Sequence, residues 1–491
     1  AHGTVQSFIQ CRDNQASGNY NAYWSYDSGF GANDHHAFFN EVDSINVGTN
    51  TTVMPYRDPS GWYHVVIRYD STQSTASDRI RIYKNGTLQN STFTTTTYPS
   101  QNAVNTFWNN AGEHLILFGN GEDSGDSFDG YIAEFNWVDG LSLAPESFGE
   151  LKNGAWIPVE YTGSYGLNGS RYTFSDSSDI GADSSGVGNH LDRVSNLSAS
   201  DVVPDSPENN FCTLNSVGRR YGHSYSGTFS EGNLKFASSG NSSMAFGTMA
   251  INQIASQGGV YFEIRLDSQD TSRTYVGLVG DDGANNKNSN SNGASYSFPI
   301  KALLRPSAPD GSMGAYFGTS TSVSMDLSSH NSNYSNGDVV GVAILSDGKT
   351  FFHKNGTYLD DSSGNVGNPS TGANPIGTID LTLGDWVAHV GYNSTFSINF
   401  GQDGTFSGQE TSGGNQDGNG IGDFMFAVPT NCFAICSSNM AEPTIGPNSG
   451  TNEQSDDYFN TVLWTGTGKG QVLALTIIYL QIHQEVMAKL C

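Results

Sequence analysis

The chain has 491 residues, of which 14% are charged, and its 48 acidic and 21 basic side chains give a formal net charge of −27. A surface this acidic repels phosphate backbones and anionic lipid, which excludes nucleic acid as the main partner. One hydrophobic core seldom serves more than about 300 residues, so the length predicts two large domains with connecting segments. Aromatic residues reach 12%, and with abundant Gly, Ser, Asn and Thr they favour short strands and tight turns over helical bundles.

Neither end of the chain predicts membrane insertion. It begins Ala-His-Gly without a signal segment, which indicates a processed or partial amino terminus. The longest apolar run, near 473–480, is shorter than the roughly 20 residues that span a bilayer.

The cysteines are odd in number, which predicts no disulfide framework. They are Cys11, Cys212, Cys432, Cys436 and Cys491. The spacing of Cys432 and Cys436 is metal-like, but no second Cys or His pair accompanies it, so we expect small buried hydrophobic side chains there.

The first strongly patterned stretch is a predicted hairpin at 61–86, after sixty polar and turn-rich residues. From Trp62 to Asp70 the side chains alternate with period two, as in a strand with one buried face, and Ile80 and Ile82 repeat the alternation. Asn85-Gly86 then supplies the positive-φ residues of a tight hairpin.

Three further patterns complete the first module. HLILFG at 114–119 and GYIAEFNWVD at 130–139 predict strands, and LAPESF at 143–148 predicts a short helix. With the hairpin, these pieces resemble the laminin-G/concanavalin-A-like jelly roll over 61–152. The resemblance implies a β-sandwich domain at 1–155, whose opening strand would precede residue 1.

Residues 156–224 are predicted to be a connector, and a second module follows at 225–407. Strands are expected at 259–266 and 274–280, and the hairpin at 338–356 repeats the Lys-Asn-Gly turn of the first module. The ordered pieces GDVVGV, FHKNG and INFGQ resemble the SPRY sandwich, a relative of the concanavalin-A-like fold. The predicted fold class is therefore all-β, with two concanavalin-A-like jelly-roll sandwiches in tandem joined by extended connectors.

Residues 408–491 are predicted to be a C-terminal extension with short strands. A Gly/Asn linker at 408–422 precedes MFAVPTNCFA at 425–434 and YFNTVLWTG at 458–466. The order of a laminin-G-like module, a SPRY-like module and these two stretches is similar to large structural proteins of marine tailed phages. Residues 470–491 depart from that pattern, because Gly and Ser vanish and apolar residues take helical spacing, which predicts either a terminal assembly helix or an atypical chain end.

Concanavalin-A-like sandwiches include glycosidases, which need two converging carboxylates. Glu41-Val-Asp43-Ser-Ile45 lacks the last acid of an alternating triplet, and Glu134 and Asp139 are five apart, which places them on opposite faces of a strand. No nucleophile elbow, phosphate loop or zinc-protease motif appears. The sequence therefore predicts a protein that is not an enzyme.

A calcium site is the metal prediction. One loop holds four acids, Glu122, Asp123, Asp126 and Asp129, and hard cations take such oxygens. The alternative is a solvated acidic turn without a metal. A second loop, Asn415 to Gly420, resembles the start of an EF-hand, but Phe426 stands where that loop requires a bidentate Glu.

The candidate glycan contact is Trp108 with Asn109 and Asn110. Aromatic rings stack on sugar rings, and amides both donate and accept hydrogen bonds to hydroxyls. The alternative is a tryptophan of the core.

The leading functional hypothesis is a non-enzymatic virion protein, namely a tail fibre, spike or capsid-decoration subunit on the particle surface. Its expected partners are other virion subunits, further copies of itself in a homo-oligomer, and host-surface glycan. The virion assignment follows from the phage resemblance, whereas the adhesion character follows from the β-rich, polar-looped composition. A secreted lectin or adhesin of a marine microbe, and a polysaccharide hydrolase or lyase, are the alternatives.

Overall fold

The computed structural model describes residues 6–12, 22–27, 34–40, 45–51, 61–90, 93, 95–104, 114–117, 128, 130–152, 155–192, 198–216, 227–238, 243–270, 274–281, 300–306, 313–318 and 324–441. Antiparallel sheets dominate these ranges. The α-helix α1 found within them is a single turn, Asn252–Ala255. This confirms the all-β class. Within the same ranges, no helix has both the length and the apolar character to cross a membrane.

The first part of the chain forms a six-stranded and a three-stranded sheet. Its strands are β1 (Gln6–Arg12), β2 (Ala22–Asp27), β3 (Asp34–Asn40), β4 (Ile45–Thr51), β5 (Val65–Tyr69), β6 (Ile80–Lys84), β7 (Thr87–Leu88), β8 (Thr95–Thr97) and β9 (His114–Leu117). The larger sheet has the antiparallel order β8-β4-β3-β2-β1-β9, and the smaller one has the order β5-β6-β7.

The predicted hairpin is confirmed in the smaller sheet. Asn85 (φ 46°) and Gly86 (φ 73°) join β6 to β7. Both φ values are positive, as a type I′ turn requires, and this explains the Asn-Gly pair. Ile80 and Ile82 are completely buried against apolar side chains of β5, so the period-two pattern does mark a packed face.

Trp156 holds this turn against the following segment. A Cβ on Gly86 would lie 2.3 Å from the indole ring, and a Cβ on Gly149 would lie 2.4 Å from its Nε1. The indole N–H donates to His64 Nδ1 at 2.8 Å. The two glycines therefore leave the space that the ring occupies.

A short antiparallel pair links the end of the first module to the predicted connector. The strands of this region are β10 (Phe135–Trp137), β11 (Gly149–Lys152), β12 (Ala155–Pro158) and β13 (Ser170–Tyr172). β10 pairs with β13, so only three residues of the strand predicted at 130–139 are extended in a sheet. The predicted short helix is one 3-10 turn, Pro145–Ser147, because β11 begins at Gly149.

The second part of the chain contains a nine-stranded and a six-stranded sheet. The strands are β14 (Gly227–Ser230), β15 (Lys235–Ser238), β16 (Met244–Ala250), β17 (Gly259–Ser268), β18 (Tyr275–Asp281), β19 (Ile300–Arg305), β20 (Gly314–Phe317), β21 (Met325–Asp326), β22 (Val339–Ile344), β23 (Lys349–Lys354), β24 (Thr357–Tyr358), β25 (Gly377–Thr378), β26 (Asp385–Gly391), β27 (Thr395–Asn399) and β28 (Cys432–Phe433).

One apolar core joins the two sheets of this second part. The nine-stranded sheet follows the path β14-β15-β27-β17-β22-β23-β24, with β25 on β23 and β28 on β17, and the other has the order β16-β26-β18-β19-β20-β21. Side chains from both enter the same buried cluster, for example Phe262 and Val342 from the first and Leu278 and Leu304 from the second. This is the packing of a β-sandwich. The number of sandwiches in the whole chain stays a prediction.

The central strand β17 has two different faces. Val260, Phe262, Ile264 and Leu266 enter the core. The alternate side chains, which form the polar face of β17, belong to Tyr261, Glu263, Arg265 and Asp267. Such a face needs partners if it is covered.

Residues 401–440, here called the C-terminal strap, cover that face. β28 pairs in parallel with β17, and Phe424, Ala434 and Cys436 of the strap are buried. The part of the predicted extension up to Met440 thus contains one short strand and packs against the sandwich. The boundaries at 155, 224 and 407 stay predictions.

Three cysteines lie in this region as free, buried thiols: Cys212, Cys432 and Cys436. This confirms the expectation that Cys432 and Cys436 act as small buried side chains.

Candidate functional site

The residues that the sequence nominated lie outside the described residues. This holds for the glycan candidates Trp108, Asn109 and Asn110 and for the calcium candidates Glu122, Asp123, Asp126 and Asp129. Both sites therefore stay predictions. In the part of the chain that the structure does describe, no group of three or more His, Cys, Asp or Glu side chains is arranged to hold a metal ion.

The EF-hand-like loop is held by protein donors. Asp417 Oδ1 accepts the N–H groups of Asn419 (2.8 Å) and Ile421 (3.0 Å). Its Oδ2 accepts the N–H of Ala434 (3.0 Å) and Nδ2 of Asn439 (2.8 Å). Four protein donors occupy the carboxylate, so Asp417 ties separate parts of the strap to one another.

Glu263 is a carboxylate in the buried face between β17 and the strap. It is completely buried, and each of its carboxylate oxygens accepts two hydrogen bonds. Oε1 accepts the Tyr261 hydroxyl (2.9 Å) and the N–H of Phe426 (2.8 Å). Oε2 accepts Asn399 Nδ2 (3.1 Å) and the N–H of Met425 (3.0 Å). Two of these donors are backbone groups of the strap.

A directional chain of hydrogen bonds leads to this carboxylate. The N–H of Gly356 donates to His353 Nδ1 at 3.1 Å, so the neutral ring carries its proton on Nε2. Nε2 lies 2.7 Å from the Tyr261 hydroxyl and donates to it, which leaves the hydroxyl proton for Glu263. The Asn355-Gly356 turn therefore sets the tautomer of the histidine.

Burial shifts the pKa of both ionisable groups in this hydrogen-bond chain, Glu263 and His353. It raises the pKa of Glu263 to about 7, against the opposing effect of its four donors. It lowers the pKa of His353 to about 3. In both cases the low dielectric disfavours the charged form.

A carboxyl, a phenol and an imidazole are groups of general acid–base catalysis, but this set is placed for a structural role. Glu263 is 0% and His353 is 1% exposed, and the carboxylate oxygens are all engaged by the protein. The set fixes the backbone of the strap at Met425 and Phe426, as a satisfied buried network does.

Arg265 extends the same contact towards the start of the strap. Its Nε donates to Glu410 Oε1 at 2.8 Å, and its guanidinium also donates to Gln409 Oε1 at 3.0 Å. Asp267 is its second acidic partner. The polar face of β17 thus binds the strap at two places, around 409–410 and around 425–426.

A partly exposed group of charged side chains lies at the β10–β13 pair. Arg171 of β13 donates from Nε to Glu134 (2.6 Å) and from a terminal nitrogen to Glu160 (2.5 Å). Hydrogen bonding to Glu134 raises the pKa of Arg171 further above its usual range. Glu134 has φ 54°, a left-handed conformation that is costly for a residue other than glycine and that concentrates at functional positions.

Asp139 lies in a separate contact from Glu134. Its Oδ2 accepts Asn168 Nδ2 at 2.9 Å and the Asn168 N–H at 3.3 Å. Since β10 runs only from Phe135 to Trp137, Glu134 precedes it and Asp139 follows it. The expectation that the two acids lie on opposite faces of a strand therefore does not apply. The two acids have different partners, so the structure gives them no common hydrogen-bonded site.

Sequence reasoning missed these contacts because they are long-range. Arg171, Glu160 and Asn168 lie in the predicted connector, 11 to 37 residues from the partners they bind. Glu263 had a usable signal, since Glu263, Arg265 and Asp267 alternate with apolar residues in one strand. That alternation marks a polar face, but it does not identify the strap as its partner.

Residues 2–146 match the Laminin_G_3 family model, described as the concanavalin A-like lectin/glucanases superfamily. The chain therefore carries a concanavalin A-like domain in its first part, in agreement with the predicted laminin-G-like module. The match covers 145 of 491 residues, fewer than a third. No curated protein matches the sequence. The superfamily description names lectins and glucanases, so carbohydrate is the ligand class that this domain indicates.

Proposed function

We propose that this chain is a non-enzymatic, glycan-binding protein of a virion surface, acting as a tail-fibre, spike or capsid-decoration subunit. The observation that carries the glycan-binding part is the concanavalin A-like lectin/glucanase domain at 2–146. Its two expected contacts are the host-surface glycan and neighbouring subunits, including further copies of the same chain. Trp108, Asn109 and Asn110 remain the proposed glycan contact of that domain.

Two buried acids outside the matched domain, Glu263 and Asp205, have structural surroundings. Burial raises the pKa of Glu263 to about 7 and that of Asp205 to about 6, the property that a glycosidase acid needs. Both side chains are nevertheless buried and hydrogen-bonded to protein donors. They hold distant segments together, and neither is placed to meet a substrate.

The virion location is supported by the resemblance of the module order to phage structural proteins. Mass spectrometry of purified particles and antibody labelling of intact particles test it. We expect the polypeptide in the particle fraction and label at the particle surface. Particles that lack the polypeptide would contradict the location and leave glycan binding to be tested separately.

Calcium is proposed for the loop with Glu122, Asp123, Asp126 and Asp129. If these acids hold the ion, adding EDTA lowers the thermal unfolding temperature and added Ca²⁺ restores it, because a ligand that binds the folded state stabilises it. Thermal unfolding that is the same with and without EDTA would remove this site.

Two alternatives share the carbohydrate ligand class. A secreted lectin or adhesin of a marine microbe would be found in the culture medium free of particles. A polysaccharide hydrolase or lyase is favoured by the glucanase members of the superfamily. It would release reducing ends from a polysaccharide, whereas the proposed binding protein leaves the polymer length unchanged.

A further inference from the structure

We propose that Asp139 and Asn168, together with the exposed Leu141 and Leu167, form a subsite that binds hydroxyl groups of a neutral glycan. The proposal rests on the proposed glycan-binding function, and it adds a position and a ligand class. The subsite lies at the end of the β10–β13 pair, apart from the contact proposed at Trp108.

One oxygen of the Asp139 carboxylate is bound by the protein, and the other is open to a ligand. Its Oδ2 accepts two hydrogen bonds from Asn168. Its Oδ1 accepts no hydrogen bond from any residue in the described ranges. A carboxylate oxygen in this state accepts sugar hydroxyls through charge-assisted hydrogen bonds, which are stronger than neutral ones.

The backbone around this carboxylate is fixed before any ligand arrives. The N–H of Asp139 donates to Tyr165 O at 2.9 Å. Gly166 has φ 76°, and a Cβ there would lie 2.3 Å from Asp139 O. Arg68 binds Ser142 through its carbonyl (2.9 Å) and its hydroxyl (3.2 Å). Because the backbone on both sides of Asp139 is already fixed, binding of a ligand orders it little further and costs little conformational entropy.

Two exposed apolar side chains are close in sequence to this polar pair. Leu167, which precedes Asn168, is 83% exposed, and Leu141, two residues after Asp139, is 52% exposed. Ligand sites combine apolar side chains with a few precisely placed polar groups. In a sugar complex they cover the C–H face of the ring while Asp139 binds the hydroxyl edge.

Charge decides which glycans fit. Glu134 and Glu160 add negative charge to the same β10–β13 region, where Arg171 is already bound to both and the Arg68 guanidinium is engaged by Ser142. The whole chain has a formal charge of −27. Sulfated and uronic-acid polymers are therefore repelled, and neutral hexose polymers are favoured.

The test measures binding of the full chain to four soluble polysaccharides by titration calorimetry. These are a neutral glucan, a neutral mannan, a sulfated galactan and a polyuronate. We expect binding to at least one neutral polymer, and weaker binding to both anionic polymers. Asp139→Asn keeps an oxygen for Asn168 and replaces the open acceptor by an NH₂ group. We expect about a tenfold loss of affinity, which corresponds to about 1.4 kcal/mol, because the lost hydrogen bond has a charged acceptor.

Matched variants separate the subsite from general effects. Asp380→Asn makes the same charge change at an acid held in a local turn by Thr382, and it should bind as the native chain does. Leu167→Ser should weaken binding several-fold, whereas Leu383→Ser, at another exposed leucine (46%), should not. Thermal unfolding of all four should match the native chain, because these side chains lie at the surface.

Three results would overturn the proposal, and they are distinguishable. If the native chain binds a neutral polymer and both Asp139→Asn and Leu167→Ser bind it equally well, the subsite is ruled out and the proposed function stands. Tighter binding to an anionic polymer removes the ligand class. Absence of binding to all four polymers removes glycan binding itself.

Discussion

Gly341 lies against the imidazole of His353, and a Cβ on this glycine would stand 1.8 Å from His353 Nε2. The two residues are direct partners in the β22–β23 pair. Nε2 is the nitrogen that contacts the Tyr261 hydroxyl at 2.7 Å. The ring cannot move away from a new methyl group without breaking the hydrogen-bond chain to Glu263.

Gly341→Ala should therefore destabilise the protein. We expect a fall of about 1–3 kcal/mol in the free energy of unfolding, as for overpacking of a core, measured by urea denaturation. Gly418→Ala is the control, because its Cβ would meet its nearest neighbour at an ordinary 3.6 Å. Equal stability of the two variants would contradict a tight fit between Gly341 and His353.

Removing the Glu263 charge should change how stability depends on pH. Its folded pKa of about 7 lies above its ordinary value of 4.5. Protonation of Glu263 therefore stabilises the folded state, fully below about pH 4.5, and this stabilisation is lost as pH rises through 7. The difference in unfolding free energy between the native chain and Glu263→Gln should fall across that window, by about 3 kcal/mol. A difference that stays flat from pH 4 to 8 would contradict a raised pKa.

His353 should give the opposite slope. Its folded pKa of about 3 lies below its ordinary value of 6.5, so its contribution is present above pH 6.5 and is lost as pH falls towards 3. The difference between the native chain and His353→Phe should therefore rise with pH from 3 to 6.5 in the same denaturation series. Two difference curves with the same sign of slope would show that burial does not control both groups.

Trp62 provides an optical signal for Asp205. Its indole N–H donates to Asp205 Oδ1 at 3.2 Å, across 143 residues of sequence. Burial raises the pKa of Asp205 to about 6. Loss of this proton places a negative charge beside the indole, so tryptophan emission should change with a midpoint near pH 6. Asp205→Asn and Trp62→Phe should each abolish that step, and its persistence in either would assign it to another group.

Local patterns predicted local structure well. The Asn-Gly pairs at 85–86 and 355–356 predicted hairpins, and both adopt the positive φ values that such turns need. The reason is that turn geometry depends on the conformational freedom of the residues in the turn itself. Period-two alternation likewise identified β5 and β6, because it records which face of a strand is buried.

The candidate sites were beyond the reach of such patterns. Glu263 receives donors from Met425 and Phe426, more than 160 residues away. Asp139 is anchored by Asn168, in a stretch that reads as a connector. Spacing along a single chain does not encode which distant loop returns to a strand, so these pairs emerge only from the three-dimensional arrangement.

The bridge between Phe211 and Cys436 bears on how the protein is made. The N–H of Cys212 also donates to Ile435 O at 2.8 Å, so the sandwich is closed by two segments that leave the ribosome more than 200 residues apart. A nascent chain that has reached β27 still exposes the polar face of β17 and lacks its closing contact. Completion must wait until Cys436 has emerged, and contacts this remote in sequence make folding slow and expose the incomplete chain to aggregation.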